Sequence, residues 1–483
     1  MQSKLIATLT RLLFLLFSIL DAHAASGDGA KPGELPFDFE APNGEVIAAY
    51  QGRFSVPASA QHPAESMSLH YLRFPQIGDS VGSPIVYLAG GPGGSGSATA
   101  SGRRFELFMA LREFGDVIAF DQRGTGQSTQ APRCISDRIV DDQTAYTDAV
   151  YVALYRAAAD QCLVQWVEQG VRPSDWTTAE SVRDLDALRQ HLAVDQISLW
   201  GISYGSHLAL AAIKALDDRI DRVILASVEG LDQTVKQPAQ TDAYFARLQA
   251  AINQQTALRE QYPDLVGLIR GVHAKLEQSP LTVRVQPAEG EAYDFMLERR
   301  DMQQFTSMMI SDPSRALQLL DLYRALDAGI TAPLAGLLAY FHQPNEPIGF
   351  WAMNFFMDLA SGIEPEAQAQ FEQQAAVGLV GAQLNFPMPQ LSKLLPELDL
   401  GTDFRTPPIS DVPVLVLSGT LDGRTYPDSQ RAAVSGLSNA QLVTVHNAGH
   451  NLFMSSPAVT ERILSFMRNQ PGPSDITIET WWE

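Results

Sequence analysis

Short runs of apolar residues recur along this chain, and they constrain its fold more than any other feature. The runs IVYL, VIAF, VILA and VLVL are apolar at every position, as expected of strands buried on both faces of a parallel sheet. Stretches with helical periodicity separate them, so the sequence predicts an α/β fold with a mostly parallel sheet flanked by helices. The predicted strands are 46–56, 67–74, 84–88, 116–120, 196–200, 222–226, 412–417 and 441–445, the first two forming an antiparallel edge.

The alternation stops between residues 230 and 408, where helix-like segments occupy 241–261, 314–327 and 364–376. A chain of 483 residues is long enough for a large core and an inserted unit. We therefore predict a helical cap domain at 230–408, inserted between two parts of the sheet domain at 25–229 and 409–483. The last nine residues, 475–483, follow Pro-Gly-Pro and are predicted to form an appended tail.

One serine stands between two glycines at the junction of a predicted strand and a helix. Residues 201–205 read GISYG, after the strand at 196–200 and before the helical run at 207–215. A Gly-x-Ser-x-Gly sequence in this context predicts a nucleophile elbow, the tight turn that presents a serine in the α/β-hydrolase fold. Ser203 is therefore the predicted nucleophile, and an ordinary glycine-bounded turn is the alternative.

A glycine-rich loop, GGPGGSG at 90–96, follows the strand that ends at Leu88. In this fold that loop and the residue after the nucleophile supply the backbone N–H groups of the oxyanion hole. We assign these donors to Gly91 and Tyr204. A phosphate-binding loop is disfavoured because no Lys-Ser/Thr pair follows and the dinucleotide spacing is absent.

The general base and its acid should follow the serine in the order acid, then histidine. His450 lies just after the strand at 441–445 and is predicted to be the base, in preference to His446 and His207. Asp422, on the loop after the strand at 412–417, is predicted to orient it. Glu229, after the strand at 222–226, is the alternative acid.

With these residues in place, the sequence resembles the prolyl and tripeptidyl aminopeptidase family of α/β hydrolases. The resemblance rests on GGPGG, on DQRGTGQS at 121–128, on GISYG and on the loops of Asp422 and His450. It covers about residues 40–230 and 410–470. Ala89 and Tyr204 replace the His and Trp usual in prolyl aminopeptidases, which looks more like the exported tripeptidyl-type branch.

The resemblance implies hydrolysis near a free peptide N-terminus through an acyl-enzyme, with no metal or cofactor. It also implies that acidic residues hold the ammonium of the substrate, for which Glu229 and Asp358 are candidates. An esterase acting on small esters is the alternative, because fold and catalytic residues do not fix the acyl group. A non-catalytic binding protein is a third possibility, which the retention of all the catalytic residues disfavours.

Residues 1–24 have the pattern of a signal peptide, with Lys4 and Arg11 before an apolar run at 12–20 and a cleavage site after Ala24. The run is too short to span the ~30 Å of hydrocarbon in a bilayer, so we expect periplasmic or secreted protein without stable membrane insertion. Cys134 and Cys162 could then form a disulfide, or remain two buried thiols. The net charge of −21 argues against nucleic-acid partners and is compatible with peptide or ester substrates.

Overall fold

The computed structural model describes residues 29–78 and 82–482, so the predicted signal peptide lies outside the described residues. A ten-stranded sheet has the order β1-β2-β3-β5-β4-β7-β8-β12-β13-β14. The first three pairings of this order are antiparallel and the remaining six are parallel, which confirms the predicted fold class. The strands are β1 (Glu34–Glu40), β2 (Val46–Pro57), β3 (Ser66–Phe74), β4 (Ile85–Leu88), β5 (Val117–Asp121), β6 (Cys134–Ile139), β7 (Ile197–Ser203), β8 (Ile220–Val228), β9 (Leu281–Val285), β10 (Tyr293–Leu297), β11 (Pro347–Phe350), β12 (Val414–Gly419), β13 (Ala440–His446) and β14 (Asp475–Thr477).

The central strands separate two apolar layers because successive side chains of a strand point to opposite faces. Val86 and Leu88 of β4 pack into one layer, and Ile85 and Tyr87 pack into the other. All four positions of β4 are buried, which is why this strand appears in the sequence as an unbroken apolar run. The helices that cover the sheet are Gly96–Ala100, Phe105–Leu111, Asp148–Glu168, Thr178–His191, Tyr204–Leu216, Pro427–Ala433 and Pro457–Met467.

The segment 230–408 is mainly helical, but it also contains three strands that the sequence did not predict. β9 and β10 form a hairpin, and β11 pairs antiparallel with β6, which precedes the serine in the chain. Two helices, Pro238–Asn253 and Thr256–Gln261, replace the single helix predicted at 241–261. The other helices of the segment 230–408 are Leu265–Gln278, Arg299–Met309, Pro313–Asp327, Ala332–Phe341, Ala352–Ser361, Pro365–Ala375, Met388–Leu391 and Gly401–Arg405.

Part of the inserted segment packs directly into the sheet domain. Phe355, Phe356 and Met357 of the helix Ala352–Ser361 belong to the same buried cluster as Trp166. The two ring centroids of Phe356 and Trp166 are 4.9 Å apart. This helix of the inserted segment therefore contributes side chains to the core of the sheet domain.

The C-terminal residues and one disulfide connect parts of the chain that are distant in sequence. The residues predicted to form a tail include β14, which extends the sheet, and Trp481, which packs into the buried cluster of the inserted segment. Cys134 and Cys162 form a disulfide between β6 and the helix Asp148–Glu168, with 5.6 Å between their Cα atoms. Within residues 29–78 and 82–482, no helix is both long and apolar enough to cross a bilayer.

Candidate active site

Ser203 occupies a sharp turn between β7 and the helix that begins at Tyr204. Its φ of 55° and ψ of −128° lie in a region that non-glycine residues rarely adopt, so the turn is strained. A Cβ atom at Gly201 would lie 2.5 Å from the carbonyl oxygen of Gly205. A Cβ atom at Gly205 would lie 2.0 Å from the carbonyl oxygen of Leu88. The flanking glycines are thus required by the close approach of the backbone, as the elbow demands.

His450 and Asp422 meet above the same edge of the sheet. Nδ1 of His450 lies 3.0 Å from Oδ2 and 3.1 Å from Oδ1 of Asp422. The two residues follow β13 and β12, which are parallel neighbours, so their loops emerge side by side. His450 and Ser203 line one cavity of about 570 Å³. The fold thus brings together the three side chains that the serine motif, the loop positions and the chain order had indicated.

The carboxylate of Asp422 is fully buried and nevertheless well supplied with hydrogen-bond donors. Oδ1 accepts from the backbone N–H groups of Arg424 and Thr425 at 2.7 and 2.9 Å, and Oδ2 accepts from the hydroxyl of Thr425 at 2.7 Å. Burial alone would raise the pKa of Asp422, but the charge and hydrogen bond of His450 and the donors of Thr425 hold that pKa below its usual value. Asp422 therefore stays ionised at neutral pH.

The glycine-rich loop lies against the serine. A Cβ atom at Gly90 would be 3.1 Å from Cβ of Ser203, and Gly91, with a φ of 128°, lines the cavity beside it. The backbone N–H of Tyr204 stands at the start of its helix, where the helix dipole favours negative charge. Asn354 of the inserted segment donates a hydrogen bond to the carbonyl oxygen of Pro92 and so holds the loop from outside.

The DQRGTGQS segment positions this loop from the sheet side. Asp121 is buried and accepts hydrogen bonds from the hydroxyls of Ser95 and Ser97, each at 2.7 Å. His70 Nδ1 lies 3.0 Å from the same carboxylate. Arg123 forms a bidentate ion pair with Asp184, with both N–O distances 2.7 Å. The segment therefore anchors the glycine-rich loop at 90–96, and none of its residues is among the described residues that line the cavity.

The family model of the alpha/beta hydrolase fold matches residues 83–457. The chain belongs to this family. Serine protease Hip1 of Mycobacterium tuberculosis (strain ATCC 25618 / H37Rv) is 31% identical over 181 residues, 36% of this chain and 35% of the relative. Proline iminopeptidase of Xanthomonas citri is 33% identical over 142 residues, 29% of this chain and 31% of the relative. Tripeptidyl aminopeptidase of Streptomyces lividans is 25% identical over 150 residues, 30% of this chain and 28% of the relative.

The aligned part of this α/β hydrolase thus spans about a third of the length of the curated relatives it matches. Their names agree with the predicted family, which is confirmed. Together with the elbow and the His450–Asp422 pair, they identify the chain as a serine hydrolase.

Glu229 and Asp358, the candidates for holding a substrate amine, lie near each other in this α/β hydrolase. Neither is among the described residues that line the catalytic cavity. Glu229 is buried and pairs with Lys236 at 2.7 Å, and both line a second cavity of about 340 Å³. Enclosure by the surrounding protein and the negative charge of Glu229 raise the pKa of Asp358 to about 7.

Among the described residues no hydrogen bond joins Glu229 to His450, whereas both carboxylate oxygens of Asp422 contact Nδ1 of His450.

Sequence reasoning did not find four residues that touch or line the site, namely Thr425, Asn354, Arg104 and Arg424. For Thr425 a signal was available, because an Asp side chain in a loop commonly accepts hydrogen bonds from the backbone N–H groups two and three residues later. Among residues 29–78 and 82–482, no three or more His, Cys, Asp or Glu side chains are grouped as metal ligands.

Proposed function

We propose that this α/β hydrolase is a serine aminopeptidase that releases a prolyl residue or a short peptide from the N-terminus of peptide substrates. The observation that carries the proposal is that His450, paired through Nδ1 with the buried, ionised Asp422, lines the same cavity as Ser203. The similarity to relatives named proline iminopeptidase and tripeptidyl aminopeptidase supports the substrate class.

In the proposed reaction, Oγ of Ser203 attacks the scissile carbonyl carbon while Nε2 of His450 accepts the hydroxyl proton. Asp422 holds Nδ1–H and stabilises the imidazolium that forms. The oxyanion accepts hydrogen bonds from the N–H groups of Gly91 and Tyr204. Collapse of the intermediate breaks the C–N bond, and His450 returns the proton to the leaving amine. Water then attacks the acyl-enzyme by the same route and restores Ser203.

We further propose that Asp358, which lies near Glu229, binds the ammonium of the substrate, whose positive charge would favour the ionised form of this carboxyl. One observation favours Asp358 over Glu229 for this role. Glu229 is already neutralised by Lys236, while Asp358 has no ion-pair partner among the described residues. Both carboxylates also lie close enough to Tyr204, the residue after the nucleophile, for their charge to act on its phenol.

Export to the periplasm or the medium belongs to the same proposal. It is supported by the signal-peptide pattern at 1–24 and by the disulfide between Cys134 and Cys162, a bond that persists in oxidising compartments. N-terminal sequencing of protein recovered from each cell fraction tests it. A mature N-terminus at Ala25 outside the cytoplasm is expected, and a cytoplasmic chain that keeps Met1 would refute export.

A second candidate, an esterase, is favoured by the apolar side chains Met308, Leu384 and Phe386 in the lining of the catalytic cavity, which suit an acyl chain. Purified enzyme assayed on prolyl, alanyl and tripeptidyl anilides, each with a free and an acetylated N-terminus, separates the two. We expect turnover of free anilides, loss on acetylation, and no turnover by Ser203→Ala. Hydrolysis of p-nitrophenyl esters alone, with every anilide inert, would select the esterase.

A further inference from the structure

The catalytic cavity carries positive charge and no counter-charge. Arg104 and Arg424 line it together with Ser203 and His450, whereas no Asp or Glu of the described residues does. This is unexpected in a chain with 55 acidic and 34 basic residues, because a random lining would favour carboxylates. The charge of the cavity is therefore a local property that the composition does not explain.

Arg104 is fixed in place by neutral partners only. One guanidinium nitrogen donates to the hydroxyl of Tyr87, and Nη2 donates to Oδ1 of Asn451 at 3.2 Å. The guanidinium also lies 5.7 Å from the ring centroids of Tyr87 and Phe453. No carboxylate within the described chain approaches it to ion-pair distance, so its charge and its remaining N–H donors are free for another acceptor.

Arg424, which also lines the cavity, has the same character. Its backbone N–H donates to Asp422, which fixes the base of the side chain. Its Nη1 donates to the carbonyl oxygen of Ser307 at 3.0 Å, and no carboxylate of residues 29–78 and 82–482 forms an ion pair with it. A partly enclosed guanidinium without an anion is costly, and a bidentate carboxylate is the partner it fits best.

Both arginines lie on the side of the cavity that holds the general base. Arg104 binds Asn451, the neighbour of His450, and Arg424 follows Asp422 by two residues. His450 protonates the leaving amine, so this is the side on which the leaving group departs. A short peptide leaving group carries its C-terminal carboxylate there.

We propose that Arg104 and Arg424 form a carboxylate subsite for the leaving group, so that the enzyme prefers short peptides with a free C-terminus over amidated ones. The proposal rests on the proposed aminopeptidase function for the identity of the substrate as a peptide. The subsite itself requires only a carboxylate near the leaving atom. It also orients the substrate, with the ammonium directed towards Asp358 and the carboxylate towards the arginines.

The test compares a tripeptidyl-glycine substrate with its C-terminal amide in the wild type, in Arg104→Gln, in Arg424→Gln and in the double variant. We expect kcat/KM for the free acid to exceed that for the amide by about tenfold or more, since charge-assisted hydrogen bonds are stronger than neutral ones. The ratio should fall towards one in the double variant. Arg103→Gln is the matched control, because the exposed Arg103 adjoins Arg104 in sequence and is absent from the described lining of the cavity.

A second pair of substrates separates this inference from the proposed function. Acetyl esters of 3-hydroxybenzoate and 3-hydroxybenzamide differ in the same carboxylate without a peptide bond, and the ratio of the two rates in each variant is compared with that in the wild type. If only esters are hydrolysed and the arginine variants still lower this ratio, the aminopeptidase proposal fails and the subsite stands. An equal rate for acid and amide in the wild type, or a ratio untouched in the double variant, overturns the subsite. Arg104→Lys and Arg424→Lys, which keep the charge, should retain part of the preference if the glutamine variants do not fold.

Discussion

Thr425 donates its hydroxyl to Oδ2 of Asp422 at 2.7 Å, and the same hydroxyl lies 3.5 Å from Nδ1 of His450. The threonine therefore fixes the carboxylate in the orientation in which it faces the imidazole. It touches neither the serine nor the expected position of the substrate, so we regard it as a positioning residue.

Replacing Thr425 by Val should lower kcat about tenfold, because a buried carboxylate oxygen loses a charge-assisted donor worth ~1.5–3 kcal/mol. Thr425→Ser, which keeps the hydroxyl, should restore most of the rate. Loss of this donor also raises the pKa of Asp422. Steady-state kinetics on one anilide give kcat for the wild type and both variants, and a Val variant with wild-type kcat would show that the hydroxyl is not needed.

Asp358 should make the stability of the enzyme depend on pH in a recognisable direction. Its folded-state pKa of about 7 lies above the ordinary carboxyl value of 3.8, so between these pH values the folded chain binds more protons at this site than the unfolded chain. Stability contributed by the protonated form is complete below the unfolded value and is lost as pH rises towards about 7.

Asp358→Asn removes that dependence. The difference in melting temperature, variant minus wild type, should therefore rise between pH 4 and 7 and level off above about pH 7. Exposed Asp137, with a side-chain exposure of 66%, supplies the control variant Asp137→Asn, whose difference should stay flat. A flat difference for Asp358→Asn would mean that the carboxyl titrates normally.

The disulfide closes a loop between positions 28 residues apart. Replacing both Cys134 and Cys162 by Ala should lower the free energy of unfolding by about 3 kcal/mol, because the unfolded chain regains conformational freedom. Urea unfolding measures the loss. Wild-type protein unfolded with reductant should approach the midpoint of the double variant, and a variant whose midpoint equals that of oxidised wild type would contradict the expected contribution.

The parts of the fold that could be predicted from the sequence are the strands whose burial on both faces gives a local run of apolar residues. β4 and β5 are buried at every position and appear as apolar runs. β1, by contrast, reads ELPFDFE and carries three acidic residues. Its Glu34 is buried because Arg73, 39 positions away, forms an ion pair with it. No local pattern reveals such a partner.

The residues of the site likewise fall into those that local sequence reveals and those that depend on distant contacts. The elbow at Ser203 is recognisable because close backbone contacts require glycine on both sides. The base and the acid follow from the order of loops in a parallel sheet. Asn354 could not be found, because its contact with Pro92 joins residues 262 positions apart and depends on how the inserted segment folds back. Arg104 and Arg424 were missed for a related reason, since only the folded chain shows that they line the cavity and lack carboxylate partners among the described residues.

The assignment of Asp422 as the triad acid is the prediction that the remaining mechanism depends on. Asp422→Asn leaves His450 free to adopt the wrong tautomer, so turnover of both esters and anilides should fall, by about 10⁴ by analogy with the serine proteases. Glu229→Gln should leave the ammonium of Lys236 without its partner, close to the proposed ammonium site at Asp358. Repulsion between the two cations should raise KM for substrates with a free amine and affect small esters much less. Measuring both variants on one p-nitrophenyl ester and one tripeptidyl anilide decides the matter: loss of ester turnover in Glu229→Gln, with Asp422→Asn active, would transfer the role of acid to Glu229.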